Sequence, residues 1–256
     1  MPAPAPLARA TLARVSQEAS AAVELSVVVP VFNELANLDP LVERVRTTLD
    51  GLSLSWELVA VDDGSSDGSG DRLDALAASE PRLRVLHFSP HSGQSAALMA
   101  GIGQARGRWI AVTDADLQTY PEDLPRLLES VKEGGVDAAV GIREERRDSG
   151  WKRVSSRFAN WVRNRLTRED IVDTGCPLKV FRAEATACLI PFDGMHRFLP
   201  TMLRMGGYTV SQIPVRHAPR TAGRSHYGTW DRAFRGLRDA LGVRWLQDRR
   251  LRWKLR

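Results

Sequence analysis

LSVVVPV at 25–31 and WELVAVDD at 56–63 are short runs rich in β-branched residues, each closing on turn-forming polar side chains. Between them Leu38, Leu41, Val42, Val45 and Leu49 recur at helical spacing, so the stretch reads as a βαβ unit. The pattern continues outward. RLRVLHF at 82–88 reads as a third strand, Gln94 to about Ala105 as a helix, RWIAVTD at 108–114 as a fourth strand, Pro121 to Lys132 as a helix and DAAVGI at 137–142 as a fifth strand. This alternation predicts an α/β fold with a mostly parallel central sheet flanked by helices on both faces. In such sheets the ligand crevice lies beyond the carboxyl ends of the strands. Asn33 and Glu34, Asp62 and Asp63, Asp114 and Asp116, and Arg143 all fall there, although turns attract Asp for local hydrogen-bonding reasons as well.

After residue 143 the alternation fades. WKRVSSRFANWVRNRL at 151–166 sets Trp151, Val154, Phe158 and Trp161 on one helical stripe, with Lys152, Arg153, Arg157, Arg163 and Arg165 around it. GYTVSQIPV at 207–215 resembles a late strand, and 230–247 another helix. The expected division is a flexible lead-in at 1–24, one main domain at 25–229 and a basic amphipathic tail at 230–256. No internal repeat is present.

Composition excludes several classes. The 256 residues are 43% apolar and 26% charged, enough for one substantial core, and no stretch approaches the roughly 18 apolar residues of a spanning helix. The N-terminal MPAPAPLARATLARVSQEAS lacks the compact apolar run of a secretory signal. Two cysteines, Cys176 and Cys188, are too few for a disulfide framework or a structural zinc site and read as reduced thiols of a cytoplasmic protein. The formal charge of +5 belongs to the tail, where residues 231–256 carry nine Lys or Arg against three Asp. Charge confined to one terminus, without a recognisable module, argues against a nucleic-acid-binding protein built on a nucleotide-sensing domain.

The chemistry concentrates in three segments. Asp114 and Asp116, one residue apart just after a buried strand, can aim two carboxylates at one hard cation, and Gln118 can add a neutral ligand. Mg²⁺ or Mn²⁺ held in this way keeps positions open for phosphate oxygens; the alternative is a solvated Asp-rich turn. VDDGSSDGS at 61–69 should leave the second strand and open a helix. Asp62 or Asp63 could there accept hydrogen bonds from a base or ribose, with Ser66, Asp67 and Ser69 the structural residues of the turn. PVFNE at 30–34 carries little information alone.

Together PVFNE, VDDGSSDGS, HSGQSAALMAGIGQARG and DADLQTYPEDL resemble, in order and spacing, the family 2 glycosyltransferases. The similarity is strongest to the polyprenyl-phosphate branch, that of dolichol-phosphate mannosyltransferase and the undecaprenyl-phosphate sugar transferases, and runs from about Leu25 to Tyr227. It implies the GT-A (nucleotide-diphospho-sugar transferase) fold, here with C-terminal amphipathic helices. By matching position, Pro30, Phe32, Glu34, Val61, Asp63 and Ala115 would line the nucleotide site. Asp114, Asp116 and Gln118 would hold the metal and diphosphate, Arg220 would lie near the diphosphate, and Arg143 and Arg157 would contact an acceptor phosphate. His226 stands where relatives usually have Lys, and a neutral imidazole supplies less positive charge to the donor than an ammonium. Asp173, in VDTGCPLKVFR, matches a recurrent family carboxylate.

The resemblance implies an inverting transfer of a hexose-type sugar from a GDP- or UDP-sugar to undecaprenyl or dolichyl phosphate, with Mg²⁺ or Mn²⁺. A phosphate acceptor is largely ionised at neutral pH and needs positioning, which a guanidinium fork supplies. A soluble or polysaccharide hydroxyl acceptor would instead call for a carboxylate base, with Asp173 the first candidate. Many relatives carry C-terminal spanning helices, whereas this sequence ends on RWLQDRRLRWKLR. From Trp230 onward Phe234, Leu237, Leu241 and Trp245 form one stripe, with Arg232, Arg235, Arg238 and Arg244 outside it. Such a helix suits peripheral contact with an anionic membrane at its cytoplasmic face, or packing on its own domain.

Overall fold

The structure is a computed structural model describing residues 23–144, 163–218 and 229–250, the last group from 236 onward with side chains. In chain order it contains β1 (Leu25–Val31), α1 (Leu35–Asp50), β2 (Trp56–Asp62), α2 (Ser69–Ser79), β3 (Leu83–His87), α3 (Gln94–Gln104) and β4 (Trp109–Val112). These are followed by α4 (Leu124–Lys132), β5 (Ala138–Arg143), β6 (Lys179–Arg182), α5 (Leu199–Gly206), β7 (Val210–Val215) and α6 (Thr229–Arg249). The strands form one sheet in the order β3-β2-β1-β4-β6-β5-β7. Every pairing is parallel except those of β6, which runs against both β4 and β5.

Both faces of the sheet are covered, which explains the near-continuous apolar runs of β1 and β2. Val27, Val29 and Val31 pack with Leu38, Leu41 and Val45 of α1 and with Leu124, Leu127 and Val131 of α4. Val28, Val59 and Val61 face the other way, into a core with Ala97 and Leu98 of α3, Phe181 of β6, and Leu199 and Met202 of α5. Pro30 costs β1 no ladder bond. The carbonyl of Val31 accepts from Asp63 on the β2 side, and Val28 meets Thr113 on the β4 side. Position 30 therefore faces beyond Val112, where the β4 ladder has stopped.

Five strands, the late strand and the long helices lie close to where the sequence places them. β6 and α5 were not foreseen. Four residues, KVFR, are too few to show a period, and their reversed direction is a tertiary matter; α5 has eight residues. Of the 151–166 helix, only 163–166 fall among the described residues, and these are helical. The tail is not detached from the domain: α6 buries Ala240 and Val243 against Phe198, Leu166 and Phe192, and Asp239 pairs with Arg197 at 2.9 Å.

Candidate active site

The carboxyl ends of β1, β2, β4 and β5 open on one cleft, as parallel strands require. Its rim beyond β1 and β2 is a set of interlocked loops. Asn33, in the left-handed region at φ 56, accepts from Ser66 N–H at 2.8 Å, and its own N–H donates to Ser65 Oγ. Asp67 accepts from the N–H of Leu35 and from that of Ser69, whose hydroxyl in turn accepts from Glu34 N–H. Asp67, Ser66 and Ser69 thus act as turn residues, as expected. Glu34 also accepts from the Asn37 amide.

Asp63 is more committed than the sequence suggested. Its two oxygens accept from the backbone N–H groups of Ser92 and Gly93, at 2.7 and 2.9 Å. The His91 ring stands 2.9 Å from the carboxylate and stacks on Phe32 with centroids 4.1 Å apart. Asp63 therefore shapes the loop after β3, and only its remaining lone pairs can face a base. Asp62 is likewise tied, to Ser65 N–H and the His87 ring. Gly64 at φ +73 is required here, because a Cβ would come within 2.9 Å of the His91 backbone nitrogen. Two expected pocket residues need correction. Val61 is 0% exposed and sealed beneath α3, and Ala115 turns into the opposite core, so neither side chain lines the cleft. The alternation of β2 turns Val61 to the α3 face, and the turn after β4 points Ala115 into the core beneath α1 and α4. Pro30 and Phe32 are half-buried at the rim.

The metal candidates come together. Asp114 and Asp116 flank the inward Ala115, and Leu117 at φ 56 turns the chain so that Gln118 N–H donates to Asp116 Oδ1 at 3.2 Å. The Gln94 amide, at the start of α3, donates to Asp114 Oδ1 at 2.8 Å. Burial, followed by the charge of Asp116, pushes the Asp114 carboxyl up to about 6. Two carboxylates that repel each other, Asp114 half-buried and Asp116 buried, fit a divalent cation, which would remove the repulsion. Among the described residues no group of three or more His, Cys, Asp or Glu converges as a metal cage. Further coordination would therefore fall to Gln118, solvent or a ligand's oxygens, the open arrangement Mg²⁺ and Mn²⁺ favour with phosphates.

Across the cleft, Arg143 at the end of β5 is gripped by Asp173. Nε donates to Oδ2 at 2.7 Å, Nη2 to Oδ1 at 2.8 Å and the Arg143 N–H to Oδ2 at 3.3 Å. The paired hydrogen bonds fix the guanidinium plane of Arg143 against the Asp173 carboxylate. Gly175 lies beside the pair, where a Cβ would sit 3.0 Å from Arg143 Nη2. Arg157, Arg220 and His226 lie outside the described residues. The chain leading to the last two is pinned beside the Asp114–Asp116 turn, because Ala218 N–H donates to Gln118 O at 2.8 Å and Thr119 bridges His217.

Gln94, Lys179 and His196 were not singled out from the sequence. Lys179 opens β6 and donates to the Cys176 carbonyl. His196 Nδ1 lies 2.8 Å from Ser95 Oγ, and burial, then the charges of Arg197 and Lys179, pushes the ring down to about 3, so it is neutral. Only a lysine heading an apolar VF pair hinted at this wall of the cleft.

Comparison with known proteins identifies the family. Residues 26–189 match the model of Glycosyl transferase family 2. The chain is 37% identical over 224 residues to a dodecaprenyl-phosphate galacturonate synthase of Rhizobium johnstonii, covering 86% of this chain and 66% of that protein. It is 36% identical over 206 residues to an undecaprenyl-phosphate 4-deoxy-4-formamido-L-arabinose transferase of Edwardsiella ictaluri, covering 80% and 63%. It therefore spans just under two thirds of the length of these relatives. Among solved structures, glucosyl-3-phosphoglycerate synthase from Mycobacterium tuberculosis with Mg²⁺ and uridine diphosphate superposes with a TM-score of 0.66 at 20% identity, over 87% of this chain and 80% of that one. The same enzyme with Mn²⁺, uridine diphosphate and glucosyl-3-phosphoglycerate gives 0.65 at 18%, over 89% and 80%. The fold is GT-A-like, the curated relatives are polyprenyl-phosphate sugar transferases, and the chain belongs to glycosyl transferase family 2.

Proposed function

We propose that this glycosyltransferase moves a hexose-type sugar, with inversion, from a GDP- or UDP-sugar to a polyprenyl phosphate at the cytoplasmic face of a membrane. The observation that carries the reading is the Arg143–Asp173 lock beside the Asp114–Asp116 turn. A guanidinium held flat by its own carboxylate still presents N–H edges to phosphate oxygens in fixed geometry. That geometry suits a phosphate monoester, which arrives ionised and asks only to be aimed.

The chain's own residues divide the work. Asp114, Asp116 and Gln118 would hold Mg²⁺ or Mn²⁺, which when bound supplies positive charge to the departing diphosphate. Gln94 orients Asp114, and Arg143 places the acceptor oxygen on the far side of the anomeric carbon. Arg157 would join Arg143 on the acceptor, and Arg220 and His226 would face the donor. Phe32 and Asp63 would border the base.

Peripheral contact is supported by α6. It buries Ala240 and Val243 and turns Leu237, Leu241 and Trp245 outward at 44%, 51% and 61% exposure, beside the exposed Arg238 and Arg249. Among the described residues no helix is long and apolar enough to cross a membrane.

Purified protein incubated with Mn²⁺, a panel of GDP- and UDP-sugars including uronates, and undecaprenyl phosphate is expected to form a lipid-linked sugar. Chelation and Asp116→Ala should each abolish the product. Transfer to a soluble alcohol, with no lipid product from any hydrolysable donor, would refute the acceptor. Activity surviving both chelation and Asp116→Ala would refute the metal.

A further inference from the structure

Lys179 stands at the one point where a strand begins, rather than ends, in the cleft. β6 runs against its neighbours, so its first residue lies opposite Val112, two positions before Asp114, and opposite Val140, three before Arg143. The side chain is 3% exposed. An ammonium has three N–H donors, and among the described residues the Cys176 carbonyl takes one. Of the flanking carboxylates, Asp114 accepts from Gln94 and Asp173 accepts from Arg143. Burial depresses the ammonium's pKa, opposed first by Cys176 and then by the fields of Asp114 and Asp173.

A buried ammonium that forms no ion pair with a carboxylate among the described residues is costly to keep. Formal charge shows what it accomplishes. Among the described residues, Asp114, Asp116 and Asp173 face Arg143 and Lys179, a floor of net charge one negative. A divalent cation makes that floor net positive. Without Lys179, the same cation would leave these described groups only neutral.

We propose that Lys179 is a phosphoryl-binding residue of the cleft, its ammonium supplying countercharge to a phosphate held beside Asp114. This rests on the reading of the cleft as a phosphate-handling site. The phosphoryl group can belong to the donor diphosphate or to the acceptor monoester, and the test separates them.

Lys179→Met and Lys179→Gln remove the charge, and Lys179→Arg keeps it. Mn²⁺ affinity would be followed by the electron paramagnetic resonance of the free ion. Affinities for uridine diphosphate and for farnesyl phosphate, both with Mn²⁺ present, would be followed by calorimetry. Removing a positive charge should leave Mn²⁺ alone bound as well as before or tighter, while phosphoryl affinity falls about tenfold or more. The Arg variant should hold its phosphoryl affinity. A loss confined to uridine diphosphate places Lys179 on the donor; a loss confined to farnesyl phosphate places it on the acceptor.

Unchanged phosphoryl affinity in the neutral variants would overturn the proposal. So would a parallel fall in Mn²⁺ affinity, which would mean that Lys179 merely holds the Asp114 turn in shape. The chain has four lysines, Lys132, Lys152, Lys179 and Lys254, so the Lys179 ammonium can also be followed in the wild-type protein by ¹⁵N resonance. That signal should move when Mg²⁺ and uridine diphosphate, or Mg²⁺ and farnesyl phosphate, are added. Should the neutral variants not fold, an ammonium signal indifferent to both ligands would decide against the idea. Wild-type protein that binds uridine diphosphate through Lys179 yet makes no lipid-linked sugar would sink the proposed acceptor and leave this inference standing.

Discussion

Asp114 is the residue whose environment conflicts most with its ionised form. Its carboxyl is pushed up to about 6 from 3.8, by burial first and the charge of Asp116 second. The folded chain therefore takes up this proton more readily than the unfolded chain does. Without metal, stability from this group rises as pH falls from neutral through about 6 toward 4, and ionisation above about 6 works against the fold. Asp114→Asn should raise the metal-free stability at neutral pH by on the order of 1 kcal/mol, partial exposure having reduced the effect, and should flatten the pH dependence. It should also weaken Mn²⁺ binding. Melting curves across pH, with and without Mn²⁺, check both halves; a variant less stable than wild type without metal would show that the Asp114 charge is not strained. Asp114, Asp116 and Arg143 were legible in the sequence because charged residues directly after buried strands are conspicuous. Gln94, Lys179 and His196 were not, since an amide at a helix start, a lone lysine and a lone histidine each have ordinary explanations. Their roles come from neighbours far away in sequence.

At the scale of elements, α3 matters because it carries Gln94 to Asp114. It approaches the sheet closely at Gly101, where a Cβ would lie 2.4 Å from Val28 Cγ1 and 3.1 Å from Val61 Cγ2. Valine is stiff about χ1 and cannot swing aside cheaply. Gly101→Ala should cost about 1–3 kcal/mol by lifting α3, and should weaken Mn²⁺ binding although residue 101 touches no metal ligand. Denaturant unfolding with Mn²⁺ titration tests the coupling; a destabilised variant with unaltered Mn²⁺ affinity would show that α3 does not support the site. The strands and helices before residue 143 could be read because apolar runs and helical spacings follow one another there in regular alternation. β6 could not, and with it went the direction reversal that brings Lys179 to the cleft.

Over the whole molecule, the tail packs on the domain and still turns apolar side chains outward, so the two fates the sequence posed as alternatives are compatible. The predicted stripe of Leu237, Leu241 and Trp245 is the outward face, and the domain is gripped by Ala240 and Val243 instead. A stripe alone cannot show which face a helix buries, because small residues such as Ala240 dock without standing out. Leu241→Ser with Trp245→Ser should leave the melting temperature within a degree or so, both side chains being mostly exposed, and should cut binding to anionic vesicles at least about tenfold. Vesicle flotation and calorimetry measure this. Unchanged vesicle binding would remove α6 from the membrane proposal.

The reversed strand β6 also works as a spacer. Because it lies between β4 and β5, the backbones that launch Asp114 and Arg143 stand two strand widths apart, about 10 Å. Were β4 and β5 adjacent, at about 5 Å, two phosphates served from their tips would be driven together and their charges would collide. With one strand interposed there is room for a sugar ring between the group that leaves and the group that arrives. On the proposed reaction, a displacement through one carbon is thus measured out by the width of a single strand.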